Sequence, residues 1–397
     1  MTVDFPTVEV KEGKARFLIP DPEIFRRGFE LVPSKAPVFY NPKMKLNRDI
    51  AILFLKTYQS KAGRPLKVCE PMTGCGVRGL RFALEVEGLE QITLNDLNER
   101  AYELAKLNVE LNGLQDSISV KNEDASLFLD RYTAPKKRLD YIDLDPFGSP
   151  SPFLDCALRA VRSGGALALT ATDTAPLSGL HMKACIRKYL GKPLRVEYWK
   201  ELAVRLLMGV TVLSAARHDL GVKPLLSYGV DHYVRLYVTL SRGAKEADKC
   251  LDQMGYIIHC RRCLHREPRI GLKPFISDEC SNCGSPIDYS GPLWLGKLVD
   301  AEFCAEMLNY VDESALEKGK EAAKLLGMLK LEADAPLTYY VSDKLGERLK
   351  SPLPPIEKIL LELESRGFFS VRTHFHSRGF KTDAPSEVVL NVVKELV

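Results

Sequence analysis

Two aspartates and an aromatic residue end an apolar run in the middle of the chain, in the string YIDLDPFGSP at residues 141–150. A carboxylate such as Asp145, with the Pro146 carbonyl as a second acceptor, could accept the N–H hydrogens of an amine and stabilise its developing positive charge. Phe147 could stack on a flat heterocycle. A strand-to-helix turn uses the same residue types, because Asp and Pro start helices and Gly closes tight turns. The string alone leaves both interpretations open.

A second candidate site is the glycine-rich string EPMTGCGVRG at residues 70–79, where Gly74, Gly76 and Gly79 satisfy G-x-G-x-x-G. Between a strand and a helix, such glycines let the backbone approach a ligand closely at the helix N-terminus. Asp96 ends the next apolar run, where a carboxylate can accept hydrogen bonds from ribose hydroxyls. These features fit a dinucleotide enzyme or an S-adenosylmethionine (SAM) methyltransferase, and a tight turn with a helix-capping Asp is the alternative without a ligand.

Two further features favour SAM. Asp124 follows the third predicted strand, where a methyltransferase of this class commonly contacts adenine. The DPF string follows the fourth strand, where amino-group methyltransferases carry (Asp/Asn/Ser)-Pro-Pro-(Tyr/Phe), and a nicotinamide dehydrogenase has no comparable need for it. We therefore expect Asp145 to accept the hydrogens of an exocyclic amine. Asp143 either contacts the cofactor or caps a turn.

The elements that must position these residues alternate in type between about residues 66 and 240. Apolar runs predict strands at LKVCEPM, QITLND, ISVKNED, LDYIDLD and ALALTATD. Amphipathic stretches between them predict helices at VRGLRFALEVEG, NERAYELAKLNVELNG and SPFLDCALRAVRSGG. This alternation predicts an α/β fold with a parallel sheet and helices on both faces, as in Rossmann-like class I SAM-dependent methyltransferase domains. The string PLLSYGVDHYVRLYVTL then predicts two antiparallel strands.

The ten cysteines include two CxxC pairs, Cys260/Cys263 and Cys280/Cys283, and the others are scattered singly. Four thiolates on two short knuckles suit tetrahedral zinc, and full coordination by protein indicates a structural site. A pair of redox dithiols is the alternative. Several arginines around the knuckles could contact phosphates or form a solvated face, namely Arg261, Arg262, Arg266 and Arg269.

Four segments are predicted along the chain. They are an N-terminal segment packing on the catalytic domain (1–65), a SAM-dependent methyltransferase domain (66–244), a zinc-binding four-cysteine element with CxxC/CxxC spacing (245–295) and a C-terminal RNA-binding domain (296–397). The C-terminal part is predicted to be α+β and winged-helix-like, because helix, proline-rich turn, helix and basic hairpin follow one another. Its basic residues interleave with phenylalanines, which fits RNA binding. The alternative is a hairpin with a phenylalanine core and solvated charges.

Composition indicates an ordinary globular protein, with 45% hydrophobic and 27% charged residues. The net charge of +4 is too mild to prove a nucleic-acid partner. No apolar run reaches the roughly 18–20 residues that span a membrane. The N-terminal string MTVDFPTVEVKEGKARF lacks the apolar region of a signal peptide. We therefore expect a cytoplasmic protein without a membrane partner.

The chain resembles the tRNA guanine-26 N2-methyl/dimethyltransferases from about residue 36 to its C-terminus. The resemblance is carried by FYNPKMKLNRD, GCGVRGLRFALE, LNDLNERAYEL, YIDLDPFGSPSPFLDCALRAV, LTATDTAPLSG and RTHFHSRGFKTDAP. It implies transfer of one or two methyl groups from SAM to the N2 amine of guanine 26 in tRNA. Whether a neighbouring guanine is also methylated is left open by the sequence. It also implies catalysis by Asp145 and variable use of the cysteine set. We infer no obligate protein partner.

The resemblance further implies which residues hold SAM. Arg48 of LNRD and Arg78 of GVRG would contact the methionine part of the cofactor. Asp96 would hold the ribose, and Asp124 with the Ala125 amide would hold the adenine.

Three other functions remain compatible with the sequence. A methyltransferase acting on another RNA, on DNA adenine or on a protein amine would use the same acidic string. A nicotinamide oxidoreductase would use the same glycine turn, but DPF and the zinc and basic modules disfavour it. A non-catalytic zinc-dependent RNA-binding protein is disfavoured because the glycine turn, Asp96 and DPF are all intact.

Overall fold

The computed structural model describes residues 3–24, 26–27, 30–31, 35–350 and 352–396. Some residues of the predicted N-terminal segment lie outside the described residues, namely 1–2, 25, 28–29 and 32–34. The chain divides into two compact units. The first comprises Met1–Pro146, Asp155–Leu169 and Ala305–Leu326, and the second comprises Phe147–Leu154, Thr170–Cys304 and Gly327–Val397. Within the described part of the chain, none of the helices combines the length and apolar character that a membrane crossing needs.

Strands and helices occur along the whole length of the described chain. In chain order, the strands are β1 (Thr7–Glu12), β2 (Ala15–Pro20), β3 (Arg26–Arg27), β4 (Glu30–Leu31), β5 (Leu66–Glu70), β6 (Leu89–Asn95), β7 (Ile118–Lys121), β8 (Leu139–Leu144), β9 (Val161–Ala171), β10 (Leu220–Val230), β11 (Tyr233–Arg242), β12 (Met254–His259), β13 (Arg266–Ile270), β14 (Asp288–Trp294), β15 (Tyr340–Val341), β16 (Ser370–Arg372) and β17 (Gly379–Thr382). The helices are α1 (Lys45–Ala62), α2 (Val77–Glu85), α3 (Glu99–Leu111), α4 (Ala125–Asp130), α5 (Leu154–Ala160), α6 (Thr174–Leu177), α7 (Met182–Tyr189), α8 (Trp199–Ala216), α9 (Ala244–Leu251), α10 (Ala301–Asn309), α11 (Gly319–Glu332), α12 (Ser342–Leu349), α13 (Ile356–Ser365) and α14 (Ser386–Glu395). Short 3-10 helices span Pro42–Met44 and Ser151–Phe153.

The first unit is built on parallel strands in the order β9–β8–β5–β6–β7. Every residue of β8 is buried, as expected of a strand covered on both faces. In the register, Val68 of β5 lies between Ile92 of β6 and Tyr141 of β8. The predicted α/β alternation is confirmed. Because the strands are parallel, the carboxyl ends of β5, β6 and β8 share one edge of the sheet.

The N-terminal hairpin β1–β2 packs on this sheet domain through α2 and α3. The Asn108 side chain on α3 accepts the Leu18 N–H at 2.7 Å and donates to the Leu18 carbonyl at 3.0 Å. On α2, the fully buried Arg81 pairs with carboxylates of three different elements at 2.7–3.0 Å, namely Glu12, Asp49 and Glu85. These ion pairs join the hairpin, α1 and α2 around one guanidinium.

The end of α5 differs from the prediction. The apolar spacing of SPFLDCALRAVRSGG predicts a helix through residue 165, whereas α5 ends at Ala160 and β9 begins at once. Val161 pairs with Leu139, and pairing resumes at Ala166 opposite Tyr141. The residues between form a bulge in which Gly164 has φ +77°, a left-handed conformation that interrupts a helix and a regular strand alike.

In the second unit, β10 and β11 form the predicted antiparallel hairpin, and α8 packs against β10 and β14. A three-stranded sheet of order β13–β12–β14 carries the cysteine knuckles. The predicted order of helix, proline-rich turn, helix and hairpin is present as α12, α13 and β16–β17. These elements share an apolar core with α14, formed by Tyr340, Leu345, Ile356, Ile359, Leu363, Phe380, Ala384, Val389, Val392 and Val393.

A buried cluster of ion pairs connects α8 to the β16–β17 hairpin of this unit. The Glu201 carboxylate contacts the Lys381 ammonium at 2.8 Å and the Arg205 guanidinium at 2.8 Å. It also accepts the Thr338 N–H at 3.1 Å. Burial alone would raise the pKa of Glu201, but the charges and hydrogen bonds of Lys381 and Arg205 outweigh it and lower the pKa to about 2. Glu201 is therefore ionised at neutral pH.

Candidate active site

The glycine-rich turn joins β5 to α2 at the carboxyl edge of the sheet. Gly74 and Gly76 have φ of +56° and +83°, which side chains with a Cβ rarely adopt. A Cβ at Gly74 would lie 3.0 Å from the Phe39 carbonyl oxygen, and one at Gly79 would lie 2.3 Å from Leu94 Cδ2. The first two glycines therefore permit the turn, and the third permits close packing of α2 on β6.

Asp96 follows β6 and holds this turn in place. Its carboxylate accepts the Gly74 N–H at 2.8 Å and the Asn98 N–H at 3.0 Å. Burial raises the pKa of Asp96 despite these two hydrogen bonds. The N-cap of α3 is Asn98, which accepts the Arg100 N–H at 3.1 Å. The residue that caps α3 is therefore Asn98 and not Asp96. The Asp96 carboxylate instead contacts the glycine turn.

Asp124 and Ala125 lie at the start of α4, after β7. Asp124 is the N-cap, and its carboxylate accepts the N–H groups of Ser126 at 2.9 Å and Leu127 at 3.2 Å. Ala125 is buried. The side chain of Asp124 thus satisfies two of the helix N-terminal donors and fixes the loop that follows the strand.

Arg78, in the first turn of α2, contacts acidic side chains at the carboxyl edge of the sheet. Its guanidinium pairs with Asp145 and donates to Glu70 at 3.2 Å and to the side-chain amide oxygen of Asn47 at 2.9 Å. A carboxylate oxygen of Asp143 lies 3.6 Å from Arg78 Nε. Three carboxyl groups from the ends of β5 and β8 thus surround one arginine. This clustering favours an additional positive charge.

Glu70 and Asp143 each have a further hydroxyl donor. The Thr73 hydroxyl donates to Glu70 at 2.7 Å, and the Tyr141 hydroxyl donates to Asp143 at 2.7 Å. Burial raises the pKa of Glu70 to about 7, although Arg78 acts in the opposite direction. Burial therefore disfavours the ionised form of Glu70.

Arg48 lies in a neighbouring buried pair on α1. Its guanidinium makes two contacts of 2.6 Å with the Glu12 carboxylate and lies 5.2 Å from the centre of the Tyr40 ring. Burial opposes ionisation of Glu12, but Arg48 and Arg81 outweigh it and lower the pKa of Glu12 to about 2. The preceding residue, Asn47, contacts Arg78. The structure thus brings Arg78 to Asp145 directly, and Arg48 lies next in the chain to Asn47, which contacts Arg78.

The remaining residues of the acidic string differ in exposure. Pro146 is buried, whereas the Phe147 side chain is 71% exposed. Phe147 begins the stretch of the second unit that follows β8. Within that unit, Gly148 donates its N–H to the Thr172 hydroxyl at 2.8 Å and accepts the Thr172 N–H at 2.8 Å. The loop that carries Phe147 is thereby fixed to the segment that follows β9.

The four cysteines of the two knuckles converge in the second unit. The Sγ atoms of Cys260, Cys263, Cys280 and Cys283 all lie within 4.8 Å of one another. Two of the sulfur–sulfur distances, Cys260–Cys283 and Cys263–Cys280, are 3.6 Å. Tetrahedral zinc with Zn–S bonds of about 2.3 Å has edges of about 3.8 Å. The donor set and spacing therefore fit zinc with a closed, structural coordination shell.

Comparison with known proteins gives the family. A family model described as N2,N2-dimethylguanosine tRNA methyltransferase matches residues 13–394. The chain is 39% identical over 387 residues to a tRNA (guanine(26)-N(2))-dimethyltransferase of Methanobrevibacter smithii, covering 98% of this chain and 97% of the relative. The chain belongs to this family.

Two further relatives of this tRNA methyltransferase family are informative. A tRNA (guanine(26)-N(2)/guanine(27)-N(2))-dimethyltransferase of Aquifex aeolicus is 38% identical, covering 98% of this chain and 96% of the relative. The solved structure of Trm1 from Pyrococcus horikoshii in complex with S-adenosyl-L-methionine superposes with a TM-score of 0.85 at 38% identity, covering 97% of this chain and 99% of that chain. The predicted family and the methyltransferase fold are both confirmed.

The residues of this family member fit SAM as a cofactor. The Asn47 amide nitrogen is buried and has no hydrogen-bond acceptor among the described residues, so it can serve a ligand. The cluster of carboxyl groups around Arg78 suits a cationic sulfonium.

Sequence reasoning missed two members of this site, Glu70 and Asn47. Glu70 is the last residue of β5, directly before the glycine turn, and Asp96 is the first residue after β6. An acidic residue at the carboxyl end of a predicted strand is thus a signal that indicates Glu70 as well as Asp96. Asn47 had no signal beyond its place beside Arg48, because its contact with Arg78 depends on how α1 packs on α2.

Proposed function

We propose that this protein transfers one or two methyl groups from SAM to the N2 amine of guanine 26 in tRNA. The observation that carries the proposal is the Asp145 carboxylate, held by Arg78 at the end of β8 within the DPF string. The Methanobrevibacter smithii and Aquifex aeolicus relatives act on guanine 26, and the latter acts also on guanine 27. Action on a neighbouring guanine is part of the proposal.

The proposed chemistry follows from the properties of the amine. The N2 lone pair of guanine is delocalised into the ring, so the nitrogen is a poor nucleophile. Asp145 accepts an N–H hydrogen, with the Pro146 carbonyl as a second acceptor, and stabilises the positive charge that develops on nitrogen. Phe147 stacks on the guanine after the base leaves its stack. SAM supplies the electrophilic methyl group.

The methionine end of SAM is assigned to the arginines of the site. Arg78 and Arg48 bind the methionine carboxylate, and Asp143 lies with Asp145 and Arg78 at the edge of the sheet where a cationic sulfonium is favoured. For Arg78, this role means that the methionine carboxylate competes with Asp145 for the guanidinium. Cofactor binding therefore releases Asp145 for the amine.

The nucleoside end is assigned to the loops after β6 and β7. The Gly74 and Gly76 backbone lies against SAM, and Asp96 accepts hydrogen bonds from the ribose hydroxyls. Asp124 and the Ala125 N–H bind the adenine. The Gly74–Asp96 hydrogen bond supports this assignment, because it holds the Asp96 carboxylate beside the glycine turn.

The other parts of the proposal concern the whole protein. The four-cysteine cluster binds structural zinc, and residues 296–397 bind the tRNA body while residues 66–244 carry out the chemistry. Residues 1–65 pack on the catalytic domain, and residues 245–295 carry the zinc-binding cysteines. The enzyme works in the cytoplasm without an obligate protein partner.

The test uses labelled SAM and unmodified tRNA transcripts with guanine or adenine at position 26. Labelling of the guanine transcript alone, lost in Asp145→Ala, is the expected result. Equal labelling of both transcripts would mean that another guanine is the target. No labelling of either, with SAM still bound, would overturn the tRNA proposal and leave the fold intact.

A further inference from the structure

A basic segment that the proposed site does not use follows β9. Residues 174–196 contain five Lys or Arg and no Asp or Glu, in a chain that has 52 acidic residues in all. The segment holds α6 and α7. In α7 the side chains of Lys183, Arg187 and Lys188 are exposed. Such a local excess of positive charge indicates an anionic partner.

The same segment exposes an apolar stripe. Leu180, Met182, Ile186 and Leu190 are 57%, 44%, 44% and 53% exposed, and the last three follow one another at intervals of one helical turn. The face of α7 that packs against the unit already carries Cys185 and Tyr189, both buried. The exposed stripe borders these two residues, so the apolar face of α7 is wider than the part that packs against the unit. Large apolar side chains exposed together in this way indicate a surface that contacts another molecule. We call Leu180, Met182, Lys183, Ile186, Arg187 and Leu190 the α7 ledge.

The α7 ledge is attached to the loop that carries Phe147. The Tyr189 hydroxyl and the Lys188 ammonium both contact the Asp173 carboxylate, the latter at 2.8 Å. Asp173 directly follows Thr172, which binds the Gly148 backbone in both directions. Within the second unit, a continuous set of polar contacts thus joins α7 to the residues that follow the DPF string.

We infer that the α7 ledge binds the RNA beside the methylated guanine, an inference that rests on the proposed function. Lys183 and Arg187 contact phosphates, and Leu180 and Met182 pack against the bases exposed when the guanine leaves its stack. A second copy of the chain fits this surface less well. A two-fold interface over the ledge would place the same basic side chains opposite one another.

The electrostatic test is a charge reversal with a matched control. Lys183→Glu combined with Arg187→Glu should weaken tRNA binding by at least about tenfold and reduce the salt dependence of log Kd by about two. Lys245→Glu combined with Lys249→Glu makes the same change on the exposed face of α9 in the same unit. The control should bind tRNA within about threefold of wild type. Thermal unfolding of both variants checks that they are folded.

The apolar part is tested with 2-aminopurine at position 26 of the tRNA, whose fluorescence rises when the base leaves its stack. Leu180→Ala combined with Met182→Ala should reduce this rise by more than half, while tRNA affinity changes by less than about fivefold. Leu111→Ala, at an exposed leucine on α3 in the first unit, is the control and should retain the full rise.

The outcomes separate the inference from the proposed function. A charge-reversed variant that binds tRNA as wild type does, in an enzyme that methylates guanine 26, overturns the inference alone. Loss of binding in that variant, with wild type binding tRNA but methylating another position, supports the inference and overturns the proposed function. A wild-type protein that does not bind tRNA overturns both. A change of oligomeric state without a change in tRNA affinity assigns the ledge to protein contact and also overturns the inference.

Discussion

The Arg78 guanidinium on α2 pairs with the Asp145 carboxylate at the end of β8. The same guanidinium contacts Glu70 and Asn47, so one side chain connects α1, β5 and the proposed catalytic acceptor. This ion pair therefore joins the residue proposed to bind the cofactor, Arg78, to the residue proposed to accept the amine hydrogens, Asp145. Substituting Asp145 tests the amine role, and substituting Arg78 tests the cofactor role.

Asp145→Asn should lower the rate of methyl transfer by about 10²–10³-fold, because an amide stabilises a developing positive charge far less than a carboxylate does. SAM affinity should be unchanged or higher, because the neutral side chain no longer competes for Arg78. Single-turnover methylation and calorimetric titration of SAM measure the two effects. Loss of SAM binding together with activity would contradict the proposed role.

Arg78→Lys should weaken SAM binding by at least about tenfold. Lysine keeps the charge but cannot present the planar fork that binds several carboxylate oxygens at once. Calorimetric titration of the variant with SAM provides the measurement. Arg100→Lys, at an exposed ion pair with Asp4, serves as the control and should bind SAM as wild type does. An unchanged dissociation constant in Arg78→Lys would remove this residue from the cofactor site.

Cys283→Ser should lower the zinc content of the purified protein from about one equivalent towards zero, because tetrahedral structural zinc needs all four thiolates. The thermal unfolding temperature should fall with it. Cys250→Ser changes a cysteine outside the cluster whose sulfur contacts the Val222 backbone, and it should keep the metal. Elemental analysis provides the measurement, and equal metal content in the two variants would mean that the knuckles do not bind zinc.

Lys381→Met should reduce the free energy of unfolding by about 3 kcal/mol, because it leaves the buried Glu201 carboxylate with Arg205 as its remaining cation. Lys394→Met, on the exposed side of α14, should change it by less than about 0.5 kcal/mol. Urea unfolding monitored by circular dichroism compares the two variants. Equal stabilities would show that the Lys381 contact does not stabilise the fold.

Glu70 should make the stability of the SAM-free protein depend on pH. Its pKa is raised from 4.5 to about 7 by burial, so between these values the folded protein holds a proton that the unfolded chain has released. The unfolding free energy therefore falls as pH rises through this window, by up to about 3 kcal/mol. The difference in stability between Glu70→Gln and wild type should grow from pH about 5 to pH about 8, as measured by urea unfolding. A difference independent of pH would show that Glu70 does not titrate there.

Local sequence patterns predict the parts of the site that depend on one strand and the turn after it. The glycine turn and Asp96 follow from a strand, a bend and a helix in succession, and the positive φ of Gly74 and Gly76 agrees with that pattern. The Arg78–Asp145 pair could not be predicted in the same way. It depends on β5 and β8 being neighbours in the sheet, and that order is set by packing between residues far apart in the chain.

The end of α5 shows a different limit of the sequence. The helical spacing of apolar residues continues past Ala160, so the pattern alone extends the helix. The pairing of Val161 with Leu139 is a tertiary contact that replaces helical hydrogen bonds with strand hydrogen bonds. Gly164 is a local sign of the bulge, but a single glycine does not identify the residue at which a helix ends.

The first unit includes Ala305–Leu326, which the ribosome makes long after Pro146. The Lys318 N–H binds Asp49 at 2.6 Å, and the Ala315 carbonyl accepts from Arg81, so the charges buried on α1 and α2 gain these partners late. At about 5–20 residues per second, the ~170 residues from Pro146 to Lys318 take roughly 9 to 34 s to synthesise. During translation, the buried charges of α1 and α2 therefore lack these two hydrogen-bond partners until that interval has passed.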